Sequence, residues 1–298
     1  MYDSPSYVWA LVLLGVAGIP AATSIMLYRG AVAARLGRRT GIIVAVAAAA
    51  VLGGWILASG LLARTGVYHQ ASGQAAPWFG VAFAAALIAL LLATRISVVA
   101  RIFDHAGTPA HLALPHTLRI VGVAFLIAMA QGDLPAVFAL PAGLGDIAIG
   151  VSAPFVARRL TRGQDHKGAV RFNLLGILDL VVALSIGFLA GLGPYRPLDV
   201  TPSTEPLALL PLALVPTVAV PLAIALHIVS LRRLRAAARM STTEADTFPQ
   251  PQMISIGTGE GTPEMYLRRV PRVACDQAGG ASISKHPERT SPLQRESQ

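Results

Sequence analysis

Seven apolar runs, each near the length of a membrane-spanning helix, constrain this chain more than anything else in it. A helix crosses the hydrocarbon core of a bilayer with about 20 residues. The runs fall near residues 7–28, 42–62, 78–94, 112–131, 134–157, 172–192 and 207–231. No water reaches the core of a bilayer, so each run must satisfy its own backbone, which a helix does. The runs lack the period-two alternation of a membrane barrel. The expected fold class is therefore all-α, a polytopic bundle of seven spans. The fourth is the least regular, since Pro115, His116 and Arg119 interrupt its start.

Charge sets the expected orientation. Only 13% of the residues are charged, against roughly 25% in a soluble domain. The net charge of +9 would suit nucleic acid, but its placement does not. Residues 241–298 carry six Lys/Arg against seven Asp/Glu, so the surplus lies between the apolar runs. No basic patch interleaved with aromatics occurs, and nucleic acid is not an expected partner. Alternate connections hold sixteen and two Lys/Arg, with Arg119 counted in the larger set and Arg64 and Arg196 forming the smaller. The positive-inside rule places the larger set in the cytoplasm, the N-terminus outside and the C-terminus inside. Tyr7, Trp9, Tyr68, Trp78 and Tyr195 then fall at the outer interface, where aromatic anchors belong. No Lys or Arg precedes the first run and a basic cluster follows it, which suits a retained helix better than a secretory signal. The expected location is the cell membrane, with the bilayer itself as the first partner. A protein partner or a second copy stays open.

Residues 1–240 form the expected membrane domain. Residues 241–298 are rich in Ser, Thr, Gly, Pro and Gln and read as a disordered cytoplasmic tail. The lone cysteine, Cys275, lies there, so neither an internal disulfide nor a cysteine metal cluster is available.

The candidate chemistry is inside the apolar runs. A carboxylate at mid-bilayer costs about 2.5–3.5 kcal/mol and normally faces a partner within the bundle. Asp146 stands about 18 Å, and Asp179 about 12 Å, from the basic boundary of their spans at 1.5 Å per residue. Small residues recur around both. Ala139, Ala142, Asp146, Gly150, Ala153 and Ala157 form one stripe, and Asn173, Gly176, Asp179, Ala183 and Gly187 another. Such stripes let membrane helices approach closely. Packing through them would bring the two carboxylates together, where one pKa rises and a proton is shared. The competing expectation is structural: Arg119, at a similar depth, takes Asp179 as a buried ion pair. Asp146, Asp179, Arg119 and Asn173 are the candidate polar site. Gly143, Gly145, Gly150, Pro141 and Pro216 are candidate packing or hinge positions, since proline kinks membrane helices and broken helices line sites in transporters.

Gly143-Leu144-Gly145-Asp146 resembles the GxGD segment of presenilin-type and signal-peptide-peptidase intramembrane aspartyl proteases. The resemblance covers about eight residues, to Gly150, and implies a catalytic role for Asp146. The chain departs from that pattern twice. Pro206-Leu207-Ala208-Leu209 stands where that family has Pro-Ala-Leu, and the preceding span has no mid-helix aspartate.

His105, His111 and His116 are spaced by six and five residues, which does not match a helical metal face, and they read as solvated loop residues. His227 is expected to pack near the inner end of the last span. No metal site and no cofactor is expected, and no HExxH, phosphate loop or nucleophile elbow occurs. Three classes of function remain: a small-solute or ion transporter, proton-coupled through the carboxylates; a non-catalytic membrane subunit; and an intramembrane aspartyl protease.

Overall fold

The computed structural model describes residues 5–69, 78–105, 107–192 and 197–247. Among them the chain is all helix, with no strand. The α-helices are α1 (Ser6–Ala33), α2 (Arg38–Arg64), α3 (Trp78–Ala93), α4 (Ser97–Asp104), α5 (Thr108–Ala113), α6 (Val123–Ala130), α7 (Ala136–Thr161), α8 (His166–Gly187) and α9 (Val220–Thr247). Six segments are long and apolar enough to cross a membrane: Ser6–Ala33, Arg38–Arg64, Thr108–Ala130, Ala136–Thr161, His166–Gly191 and Val215–Met240. The pair α3 and α4 passes the same test jointly, but the two helices meet at a 74° bend. The first 16 residues of that pair span only about 24 Å as helix, short of a ~30 Å core.

Burial ranks the helices. The last span is buried over 83% of its apolar window and α2 over only 11%. So α9 is the axis of the bundle and α2 lies at its edge, held mainly by α1. Exposed side chains on α2 such as Ile43, Val46, Val51 and Leu57 are apolar, as lipid contact requires.

Proline decides two departures from the expected spans. The fourth span is not one α-helix. It starts as α5, continues as a 3-10 segment, Leu114–Gly122, with Pro115 at its start, and returns to α-helix at α6. The seventh run was expected to begin at 207, but residues 209–213 are bend and turn, and a wide π turn, Val215–Ala219, precedes α9. Pro206, Pro211 and Pro216 each lack an N–H, and each disfavours helix in the residue before it. The segment is nevertheless interior: Leu207, Leu210, Leu212 and Leu214 are buried.

Side chains replace the backbone bonds that proline removes. Pro221 cannot donate to the Thr217 carbonyl four residues earlier, and Trp55 Nε1 of α2 donates to it at 2.9 Å. Thr217 Oγ1 also meets Ser59 Oγ at 2.7 Å, and Ser59 Oγ meets the Tyr68 hydroxyl at 3.2 Å. Tyr68 is thus buried, edge-on to Phe79, and not an interface anchor. At the turn between α7 and α8, Asp165 accepts from Arg159 Nη1 at 2.9 Å and from the Gly168 N–H at 2.8 Å. These donors hold its carboxyl below the usual range.

The last helix runs to Thr247, so the boundary expected at 240 falls inside it. Residues 248–298, most of the expected disordered tail, lie outside the described residues, as do Tyr195 and Arg196.

Candidate functional site

Four segments send ionisable side chains to the centre of the bundle. Arg119 comes from the 3-10 segment, Asp146 from the middle of α7, Asp179 from α8 and His227 from α9. Arg119 is only 3% exposed. Its Nε donates to Asp146 Oδ1 at 2.7 Å, its Nη2 donates to Asp179 Oδ2, and its Nη1 lies 3.3 Å from His227 Nε2. The planar guanidinium presents donors in a fixed fork, and here each branch has its own acceptor.

The network continues past the arginine. Asn173 Nδ2 donates to the Ala169 carbonyl at 2.8 Å and to Ser230 Oγ at 3.1 Å. Its Oδ1 is therefore the acceptor for His227 Nδ1, at 2.9 Å. That fixes the neutral tautomer of His227: Nδ1 carries the hydrogen, and Nε2 accepts from Arg119. His116 stacks on the His227 ring, with centroids 3.8 Å apart and planes 12° from parallel. Phe172 stands edge-on to both rings. Neither ring nitrogen of His116 has a hydrogen-bond partner, though the residue is buried.

Glycine makes the convergence sterically open. A Cβ at Gly122 would overlap Asp146, one at Gly145 would overlap Asp179, and one at Gly176 would overlap the His227 ring. Three helices thus approach the charged groups with bare backbone.

The sequence expectations fare unevenly against this geometry. Asp146, Asp179, Arg119 and Asn173 do share one network. The choice between a carboxylate pair and an Arg119–Asp179 pair resolves into a third arrangement, with Arg119 bridging both acids. Arg119, counted among the cytoplasmic basic residues, is interior instead. The stripe on α7 meets two neighbours: Ala153 and Ala157 pack with Phe172 of α8, and Gly150 meets the fourth span. A Cβ at Gly150 would come 2.6 Å from the Ile120 backbone nitrogen, and one at Gly143 would come 2.8 Å from Leu126, so these glycines admit the fourth span. Gly145 faces Asp179 of α8. On α8, Asn173 and Gly176 face α9. Pro141 sits within the continuous α7, and Pro216 lies in the π turn beside a cavity.

Two functional candidates were missed. His116 is not a solvated loop residue, and His227 is not an interface residue; both are buried at the site. The available signal was position. His116 lies three residues before Arg119, on the same side of a helical turn, and His227 lies five residues, more than one turn, inside Arg232 at the basic end of its run.

Two cavities, each of about 40 Å³, flank Asp146, which lines both. Each has room for a few water molecules. One lies against Val12, Gly15 and Val16 of α1; the other reaches Phe138, Gly187 and Leu207, with Asp179 on its wall. The second extends along Phe138, Ala183 and Gly187, toward the end where α7 begins and α8 ends. His116, Phe172 and His227 line neither cavity.

These features define an all-helical protein, with several helices long and apolar enough to cross a membrane and a charged centre flanked by two small cavities. Residues 76–235 match the family described as Domain of unknown function (DUF8737), and the chain belongs to that family. The match takes in every residue of the central network, whereas α1 and α2 lie outside it. No curated protein and no solved structure matches the chain.

Proposed function

We propose that this chain is a seven-span protein of the cell membrane, N-terminus outside and C-terminus cytoplasmic, that transports a small solute or ion coupled to a proton held at Asp146. The reading rests on one observation: a single guanidinium faces two carboxylates in the bundle interior. With both acids ionised and His227 neutral, the cluster carries one net negative charge away from bulk water. Such a charge demands a counter-ion. A proton on one carboxylate, or a bound cation, supplies it.

Asp146 is the better carrier because both cavities touch it, whereas Asp179 lines one. Arg119 and Asp179 set how firmly the proton is held. Small cavities beside the charges give a proton or small ion room to reach Asp146. The orientation follows the basic connections, and α3 with its bend to α4 counts as the third span. The protease reading has less support. An aspartyl dyad shares a proton between its acids, and here a guanidinium stands between them.

The test is proton entry into proteoliposomes loaded with a pH-sensitive dye and driven by a potassium diffusion potential. Amino acids, sugars and inorganic ions are offered outside in turn. Entry above that of protein-free vesicles is expected with at least one solute, and Asp146→Asn should return it to background. Background entry in every condition favours a non-catalytic membrane subunit in which the network is structural.

A further inference from the structure

A third cavity lies at the far, basic end of the bundle, lined by none of the central charged residues. Its volume is about 410 Å³, within the range of small-molecule sites. The bend after α3 creates it. Helix α3 ends at Ala93 and α4 departs at 74°, so no continuation of α3 covers the end of α9 from Val229 to Arg233. Three arginines line the space: Arg95 from the bend itself, and Arg232 and Arg233 from α9. Ala100, Phe103 and Val229 line it with apolar surface.

The charges do not cancel within the chain. Arg233 pairs with Asp104 at the end of α4. Among the described residues Arg95 and Arg232 make no ion pair, and both are exposed. Three guanidinium groups against one carboxylate leave a local charge of +2. Guanidinium forks match the oxygens of phosphate in pairs. A basic pocket between membrane helices at the headgroup level, with an apolar wall beside it, has the character of a site for an anionic lipid head.

We infer that this cavity binds a phosphate group, with Arg95 and Arg232 as its principal ligands and Arg233 held in place by Asp104. The apolar lining favours a phospholipid as the source over a free phosphate compound. The inference is independent of the transport reading, since it involves no residue of the central network.

The test uses the full chain purified in detergent, stripped of lipid and titrated with dioleoyl phosphatidylglycerol under native mass spectrometry. Dioleoyl phosphatidylcholine and inorganic phosphate are the parallel probes. The double substitution Arg95→Gln/Arg232→Gln is compared with Arg158→Gln/Arg162→Gln, which removes equal charge elsewhere at the same end. The expected result is one tightly held phosphatidylglycerol, bound at least about tenfold more weakly by the Arg95/Arg232 variant and unchanged in the control. Both arginines are exposed, so folding should survive; Arg95→Gln alone, on the bend, gives a smaller loss in the same direction. Displacement of the lipid by inorganic phosphate in the same arginine-dependent way keeps the phosphate site and assigns it a soluble ligand. Equal binding by both double variants, or equal retention of phosphatidylcholine, overturns the inference.

Discussion

Arg119 is the residue on which the centre of the bundle depends. It answers two carboxylates and a histidine from a position 3% exposed. Removing one partner of a buried ion pair costs about 3–5 kcal/mol, because the other charge stays behind. Arg119→Gln strands two carboxylates and should lower the melting temperature in detergent sharply. Asp146→Asn has the opposite logic. It keeps the shape and leaves Arg119 and Asp179 as a one-to-one pair, so the variant should melt at or above the temperature of the unmodified protein. If Asp146→Asn instead melts as low as Arg119→Gln, the carboxylate is a structural partner and the proton-carrier role fails. Residue type and depth made Asp146, Asp179 and Arg119 visible in the sequence, because charge inside an apolar run is conspicuous. His116 and His227 were not visible in this way. Histidine is common at interfaces and in loops, and only the folded packing turns their rings onto each other.

At the scale of elements, the fourth span and α7 fit because α7 lacks side chains where the 3-10 segment crosses it. Gly150→Ala sets a Cβ 2.6 Å from the Ile120 backbone nitrogen, and a backbone atom cannot swing aside as a side-chain tip does. The expected cost is about 1–3 kcal/mol of overpacking, read as a lower melting temperature. Gly53→Ala on the exposed α2 meets nothing within 4 Å and should be neutral or slightly stabilising. Equal loss in the two variants would show that the close approach at Gly150 is not tight. The small-residue stripes predicted close contact from their spacing, yet spacing names no neighbour. The α7 stripe was assigned to α8 alone, whereas its Gly150 admits the fourth span and its Ala153 and Ala157 pack with Phe172 of α8. Proline had a similar limit. The apolar run from 207 reads as helix by hydropathy, while three missing N–H groups turn its first residues into a buried turn segment.

For the molecule as a whole, orientation is the property with the most direct test. Cys275 is the only cysteine in the chain, so an impermeant maleimide reports the side on which the C-terminal segment lies. With the C-terminus cytoplasmic, labelling should require permeabilised cells. Labelling of intact cells would invert the orientation. The helical class, the number of apolar runs and the asymmetry of basic residues follow from the sequence alone. Each is fixed by local composition against the cost of burying peptide groups and charges in hydrocarbon. Which helix became the axis, which glycine met which neighbour, and how one arginine came to hold both aspartates were decided by tertiary structure. Those outcomes depend on packing among segments far apart in the chain, and no single run of residues carries that information.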